Sequence, residues 1–103
     1  MSPVPKKANI SIKIKFFTIL REIVGKKDEQ VKLPESTTLD VLLKQLARKY
    51  GEGFENYVYD ELGEVRSHLQ FLINGKSAST AQGLKTKLRE GDEIAILPPV
   101  EGG

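Results

Sequence analysis

The 103 residues encode one α+β domain, a roll with a mixed sheet of roughly four or five strands and one main helix across one sheet face. Three patterns predict it. Asn9–Phe17 alternates apolar and polar side chains with period two, as a strand with one buried face does. Leu39, Leu42, Leu43, Leu46, Ala47 and Tyr50 recur at helical spacing and form one apolar stripe. Short alternating runs then return in the last third, punctuated by Asn74-Gly75 and Gly91-Asp92.

Taken in order, residues 1–8 hold two prolines and two lysines and little to bury, and read as a flexible leader. The body follows over residues 9–97. In the first strand Ile10, Ile12, Ile14 and Phe16 point inward and Ser11, Lys13 and Lys15 outward. Thr18–Val24 reads as a short helical turn or loop closed by Gly25. Gln30–Leu33 is a second strand, with Val31 and Leu33 inward, stopped by Pro34; the two strands make a hairpin. Thr38–Tyr50 is the main helix. Thr37 or Thr38 can cap its start, Asp40 suits the positive end of its dipole, and Gly51 stops it.

Gly51–Ser67 reads as a long surface excursion with local helix, anchored by Phe54, Tyr57 and Tyr59. His68–Ile73 is a strand with Leu69, Phe71 and Ile73 on one face. Asn74-Gly75 is a hairpin signal, and Lys76–Gln82 turns back as a short strand. Leu84 and Leu88 anchor a helical turn. Glu93–Leu97 is the last strand, with Ile94 and Ile96 inward, and it can lie beside the first only in a mixed sheet.

Composition narrows the function classes. There is no cysteine, which removes disulfides, thiolate metal sites and a cysteine nucleophile and fits a reducing, cytoplasmic setting. No apolar run approaches membrane-spanning length, so no membrane partner is expected. The 16 lysines and arginines are dispersed among 14 acids for a net charge of +2; without a dense basic stripe no nucleic-acid partner is expected either. His68 reads as a solvated side chain. Asp60, Glu61 and Glu64 lack the spacing of a calcium loop, so no metal site is assigned. No glycine cluster has phosphate-cradling spacing, and no bound cofactor is expected.

The chain ends Pro98-Pro99-Val100-Glu101-Gly102-Gly103. The prolines can neither continue a helix nor sit centrally in a sheet. A Pro-rich extended segment rises roughly 3.1 Å per residue, so residues 98–103 read as an arm of about 19 Å. Two glycines at its tip leave the terminal carboxyl unhindered and able to enter a narrow channel. Such a carboxyl is a candidate reacting group. Leu97 and Ala95 should face outward on the last strand, as Leu72 does on its neighbour. With Phe17 they read as an exposed apolar patch, a candidate partner surface; the alternative is that the Gly51–Ser67 excursion covers them.

This order of elements with a Gly-Gly end resembles the β-grasp fold of ubiquitin-like proteins. The resemblance sharpens in Ile73-Asn74-Gly75-Lys76 and in Leu88-Arg89-Glu90-Gly91-Asp92-Glu93-Ile94-Ala95-Ile96-Leu97 followed by Pro-Pro-Val-Glu-Gly-Gly. That run is similar to the small subunit of molybdopterin synthase, as is the opening Ile14-Lys15-Phe16-Phe17 through Arg21-Glu22-Ile23-Val24-Gly25. The resemblance covers residues 9–103. Thiamine-pathway sulfur carriers, the eukaryotic ubiquitin-related modifier and small archaeal modifier proteins share the fold and tail.

The resemblance implies a division of labour. An ATP-dependent E1-like enzyme would adenylate Gly103, and sulfur transfer would turn it into a thiocarboxylate. The large subunit of molybdopterin synthase would then receive Gly102, Glu101, Val100, Pro99 and Pro98 in its active site. The same activated carbonyl could instead acylate lysines of target proteins. In either case the chain is a co-substrate with no catalytic residues of its own, and ATP belongs to the partner. A non-reacting β-grasp interaction domain is the competing reading.

Overall fold

The computed structural model describes residues 9–98; the leader expected over residues 1–8 and the tail from Pro99 to Gly103 lie outside the described residues. The alternation at the start of the body becomes strand β1 (Asn9–Phe16), with Ile12, Ile14 and Phe16 almost wholly buried. β1 pairs antiparallel with β2 (Asp28–Pro34), Ile10 opposite Leu33 and Ile12 opposite Val31. Between them Thr18–Val24 is a full helix, α1, where a turn or loop is equally compatible with the sequence. It buries Leu20 and ends at Gly25, whose φ of 87° suits a residue without Cβ.

The predicted apolar stripe forms α2 (Leu39–Tyr50), and Leu39, Leu42, Leu43 and Leu46 are buried against the sheet. The cap differs from expectation. Thr38 occupies the N-cap position without a side-chain cap bond, and its hydroxyl donates to the Asp40 carboxylate instead. The Thr37 hydroxyl donates to Pro34 O at 2.6 Å. The Leu39 N–H is satisfied by Thr86 O at 3.0 Å, so a distant loop supplies part of what a cap would.

The Gly51–Ser67 segment is more than a surface excursion. It contains α3 (Glu52–Val58), whose Phe54 and Val58 are wholly buried, and α3 packs on α1 and α2. Gly53 lies where an added Cβ would come within 3.3 Å of Ile23 Cγ2, a close helix–helix approach. The tip beyond is a tight turn in which the Asp60 carboxylate accepts from Leu62 N and Glu64 N.

The last third holds β3 (Gln70–Ile73), β4 (Lys76–Ser77) and β5 (Glu93–Leu97). β3 starts at Gln70 rather than His68 because Leu69 N donates back to Arg66 O in a turn. The return strand stops at Ser77 rather than Gln82. Ser77 Oγ accepts from Ser79 N and the Thr80 hydroxyl donates to Ser77 O at 2.7 Å; such local bonds compete with a ladder and wind Ala78–Thr80 into a 3₁₀ turn. A second 3₁₀ turn, Gly83–Lys85, stands where the Leu84 anchor was expected, and Leu88 is buried.

The sheet order is β2-β1-β5-β3-β4. β5 lies parallel to β1 and antiparallel to β3, which makes the sheet mixed as predicted. The helices and the buried side chains of all three long strands share one face, and that face holds the core. Among the described residues no helix is long and apolar enough to cross a membrane.

Candidate functional site

The candidate site is the carboxyl end of β5, where the chain leaves the sheet at Leu97-Pro98. Its aim is set from the other end of the strand. Asn74 and Gly75 take φ of 54° and 85°, the pair of left-handed conformations that a tight hairpin turn requires. Asn74 Nδ2 donates to Asp92 Oδ1 at 2.8 Å, and Asn74 Oδ1 accepts from Glu93 N at 2.9 Å. Asp92 Oδ2 accepts from Arg89 N at 2.8 Å. The Asn-Gly and Gly-Asp turns are therefore tied to each other across the sheet. The second also grips β1, through Gly91 N to Ser11 O at 2.8 Å and Lys13 N to Asp92 O at 2.9 Å. Held between two neighbours and pinned at its start, β5 is a rigid launch for whatever follows Pro98.

A second polar cluster braces the body. The Glu29 carboxylate on β2 accepts from the Lys49 ammonium and the Tyr50 hydroxyl at the end of α2. Burial alone would raise its pKa, but those donors, with Lys26 nearby, hold it below the ordinary glutamate value. Burial and the same carboxylate push the Tyr50 hydroxyl well up. Tyr50 also packs against Phe16 and Phe54, so this cluster joins sheet, α2 and α3.

The four residues read as a partner surface fall on the outer face of the sheet. Leu72 pairs with Ala95. Phe17 follows the Phe16–Ile96 pair and so falls level with Leu97. All four are half-buried, not exposed, because cross-strand neighbours flank each one. They border charged residues of the same face: Lys15 pairs with Ala95 and its ammonium lies 3.4 Å from Glu93 Oε2. The excursion does not cover them, since α3 packs on the opposite, inner side. Pro98 is described at the mouth of the exit; Pro99, Val100, Glu101, Gly102 and Gly103 lie outside the described residues.

The structure brings one further group to the exit that the sequence does not place there. Ile19, Tyr57, Arg66 and His68 join Pro98 in lining an open groove of about 540 Å³. Their separation along the chain hides this; only the unpaired apolar Ile19, off the stripe of a short helix, is a local sign. Among the described residues no group of three or more His, Asp or Glu could hold a metal.

Comparison with known proteins agrees with this architecture. Residues 14–103 match the ThiS family. The chain is 31% identical over 94 residues to small archaeal modifier protein 3 of Haloferax volcanii, covering 91% of this chain and all of that protein. It is 30% identical over 94 residues to the molybdopterin synthase sulfur carrier subunit of Drosophila yakuba, covering 91% of this chain and 92% of that one. The crystal structure of small archaeal modifier protein 1 from Haloferax volcanii superposes with a TM-score of 0.79 at 28% identity, over 88% of this chain and 99% of that one. The five-stranded mixed sheet with its helices is the ubiquitin-like β-grasp fold.

Proposed function

Because this chain belongs to the ThiS family, we propose that it is a sulfur carrier that works through the carboxyl group of Gly103 as the small subunit of molybdopterin synthase. The observation that carries this reading is the family match, which runs to residue 103 and includes the whole tail motif. A carboxylate is a poor electrophile. An E1-like partner would couple it to AMP from ATP, with release of pyrophosphate; a sulfur nucleophile would then displace AMP and leave a thiocarboxylate. The large subunit of molybdopterin synthase would bind Pro98–Gly103 and pass the sulfur on to its substrate in molybdenum cofactor biosynthesis, in the cytoplasm.

In this reading the chain is a protein co-substrate and a non-catalytic subunit. Its own contributions are a rigid strand that presents the tail, two terminal glycines that give partners access, and the outer-face residues Phe17, Leu72, Ala95 and Leu97 as the docking surface beside it. Purified chain co-expressed with its E1-like enzyme and a sulfur source should gain the mass of one oxygen exchanged for sulfur. Intact-mass spectra that lack this species, where a known carrier acquires it, would rule the reading out.

The strong match to a protein named as a small archaeal modifier favours a second use of the same carbonyl. A lysine amine in place of sulfur would displace AMP and give an isopeptide bond. Conjugates dependent on Gly102-Gly103 should then appear in native-cell lysate, and their absence there would eliminate this use.

A further inference from the structure

One edge of the sheet is long and open. β2 is the outermost strand on its side, paired with β1 and, among the described residues, with nothing beyond it. The ladder tells which of its backbone groups look outward. Phe16 N donates to Lys27 O at 2.8 Å, and in an antiparallel ladder bonded and non-bonded pairs alternate. Lys15–Asp28, Lys13–Gln30 and Ser11–Lys32 are then the non-bonded pairs. β1 agrees: Lys13 N donates to Asp92 O and Ser11 O accepts from Gly91 N, both on the side away from β2. Asp28, Gln30 and Lys32 therefore turn their N–H and C=O groups out of the sheet. All three residues are exposed, and among the described residues neither Asp28 nor Lys32 forms an ion pair. A row of unpaired backbone groups like this is a template for another strand.

We propose that β2 pairs antiparallel with β2 of a second copy of this chain, with Gln30 facing the partner's Gln30 across a twofold axis. Charge selects both the occupant and the register. In this alignment Asp28 faces the partner's Lys32 and Lys32 faces the partner's Asp28, and opposite charges directly across a ladder attract. Each facing pair can exchange two backbone hydrogen bonds. The neighbouring registers fail. Centred on Glu29, two carboxylates meet; centred on Asp28 or on Lys32, like charges meet. Centred on Val31, Asp28 meets Pro34, which has no N–H to give. A strand complementary to itself in one register is what an isologous interface requires. The axis stands perpendicular to the sheet, so pairing doubles the five-stranded sheet and keeps both outer faces on the same side. The two β5 strands come to lie five strand spacings apart, roughly 24 Å, and run in opposite directions. Phe17, Leu72, Ala95 and Leu97 are not on β2, so one dimer presents two open copies of the surface they form. The pairing does not depend on the function proposed above.

The test is sedimentation velocity with ¹⁵N NMR on the full chain, at low salt, from about 10 µM to about 1 mM. A monomer–dimer equilibrium should fall inside that span, and the amides of Asp28, Gln30 and Lys32 should shift with concentration. Asp28→Lys and Lys32→Asp, made singly, each act twice by symmetry and should weaken the dimer at least about tenfold. The two together exchange the charges and should restore it. Dispersed spectra of the dilute variants report that each is folded. A chain that stays monomeric to the top of the range overturns the proposal, as do concentration-dependent shifts that leave β2 untouched. A dimer indifferent to the single reversals, or not rescued by the double exchange, overturns it too. So do β2 amides that move only when a different protein is added, which would give the edge to that protein. None of these readouts depends on adenylation or on sulfur, so the dimer and the functional reading stand or fall separately.

Discussion

The two faces of the sheet are built by the same strands and carry opposite contents. On the inner face Ile12, Ile14, Phe16, Ile94 and Ile96 are shut away beneath three helices. On the outer face their immediate neighbours Lys13, Lys15, Glu93, Ala95 and Leu97 are half-buried, and among the described residues no helix covers them. A side-chain period of two makes this possible, because each step along β1 or β5 crosses from one face to the other. Stability is thus concentrated on one side, and the other is the face proposed above as the docking surface. β5 ends at Leu97, and Pro98 follows it at the end of the sheet.

This contrast can be broken or sharpened by substitutions ranked on stability. The largest loss should come from Phe54→Ala, which empties a wholly buried site shared by the excursion and the core. It should cost about 3–5 kcal/mol, and at about 4–8 °C per kcal/mol a calorimetric Tm drop of more than about 12 °C. A drop of only a degree or two would return Gly51–Ser67 to the status of a surface loop.

Next comes Glu29→Gln, which removes the charge that Lys49 and Tyr50 bond. At neutral pH it should cost about 1–2 kcal/mol in urea unfolding. Here the sign matters. The folded-state pKa lies below the ordinary value of 4.5, so the unfolded chain takes up the proton first as pH falls. The stabilisation is present in full above that ordinary value and is lost as pH drops through the folded-state pKa. Wild type and Glu29→Gln should therefore converge in strong acid, and a gap constant with pH would show that packing, not charge, is what the substitution disturbs.

Leu97→Glu on the outer face should cost only about 0.5–1 kcal/mol, yet slow adenylation by the E1-like enzyme at least about tenfold, or 1.4 kcal/mol. Unchanged kcat/KM would take Leu97 out of the partner surface. Smallest of all on stability is deletion of Gly102-Gly103, within about 0.5 kcal/mol of wild type. The same deletion should abolish acyl-adenylate formation altogether. The ranking for activity is thus expected to run opposite to the ranking for stability.

The sequence showed the parts governed by strict periodicity. β1, β5 and α2 each repeat their apolar residues often enough to declare a period, and Asn74-Gly75 is a turn that few residue pairs make well. Other parts depend on information a local window lacks. α3 displays only Phe54 and Val58 inward, too few positions to establish a helical repeat, and glycines flank and interrupt it. α1 buries only Leu20. The strand after Gly75 reads well beyond Ser77 until serine and threonine hydroxyls take its backbone groups. Of the candidate site, the tail motif was legible as residues and spacing, and the outward direction of Leu72, Ala95 and Leu97 followed from alternation. The groove was not, because Ile19, Tyr57, Arg66 and Pro98 meet only once the excursion folds back beside α1.

The place of β5 in the sheet has a consequence for synthesis. Of the five strands it is the last to leave the ribosome, yet it is inserted between β1 and β3. A nascent chain that stops short of Leu97 has a gap in the middle of its sheet, with the pairing edges of β1 and β3 unfilled. Long-range pairing of this kind is slow to form, and here it can form only after the rest of the body has emerged. A chain in which this sheet is complete has therefore been translated through the final strand.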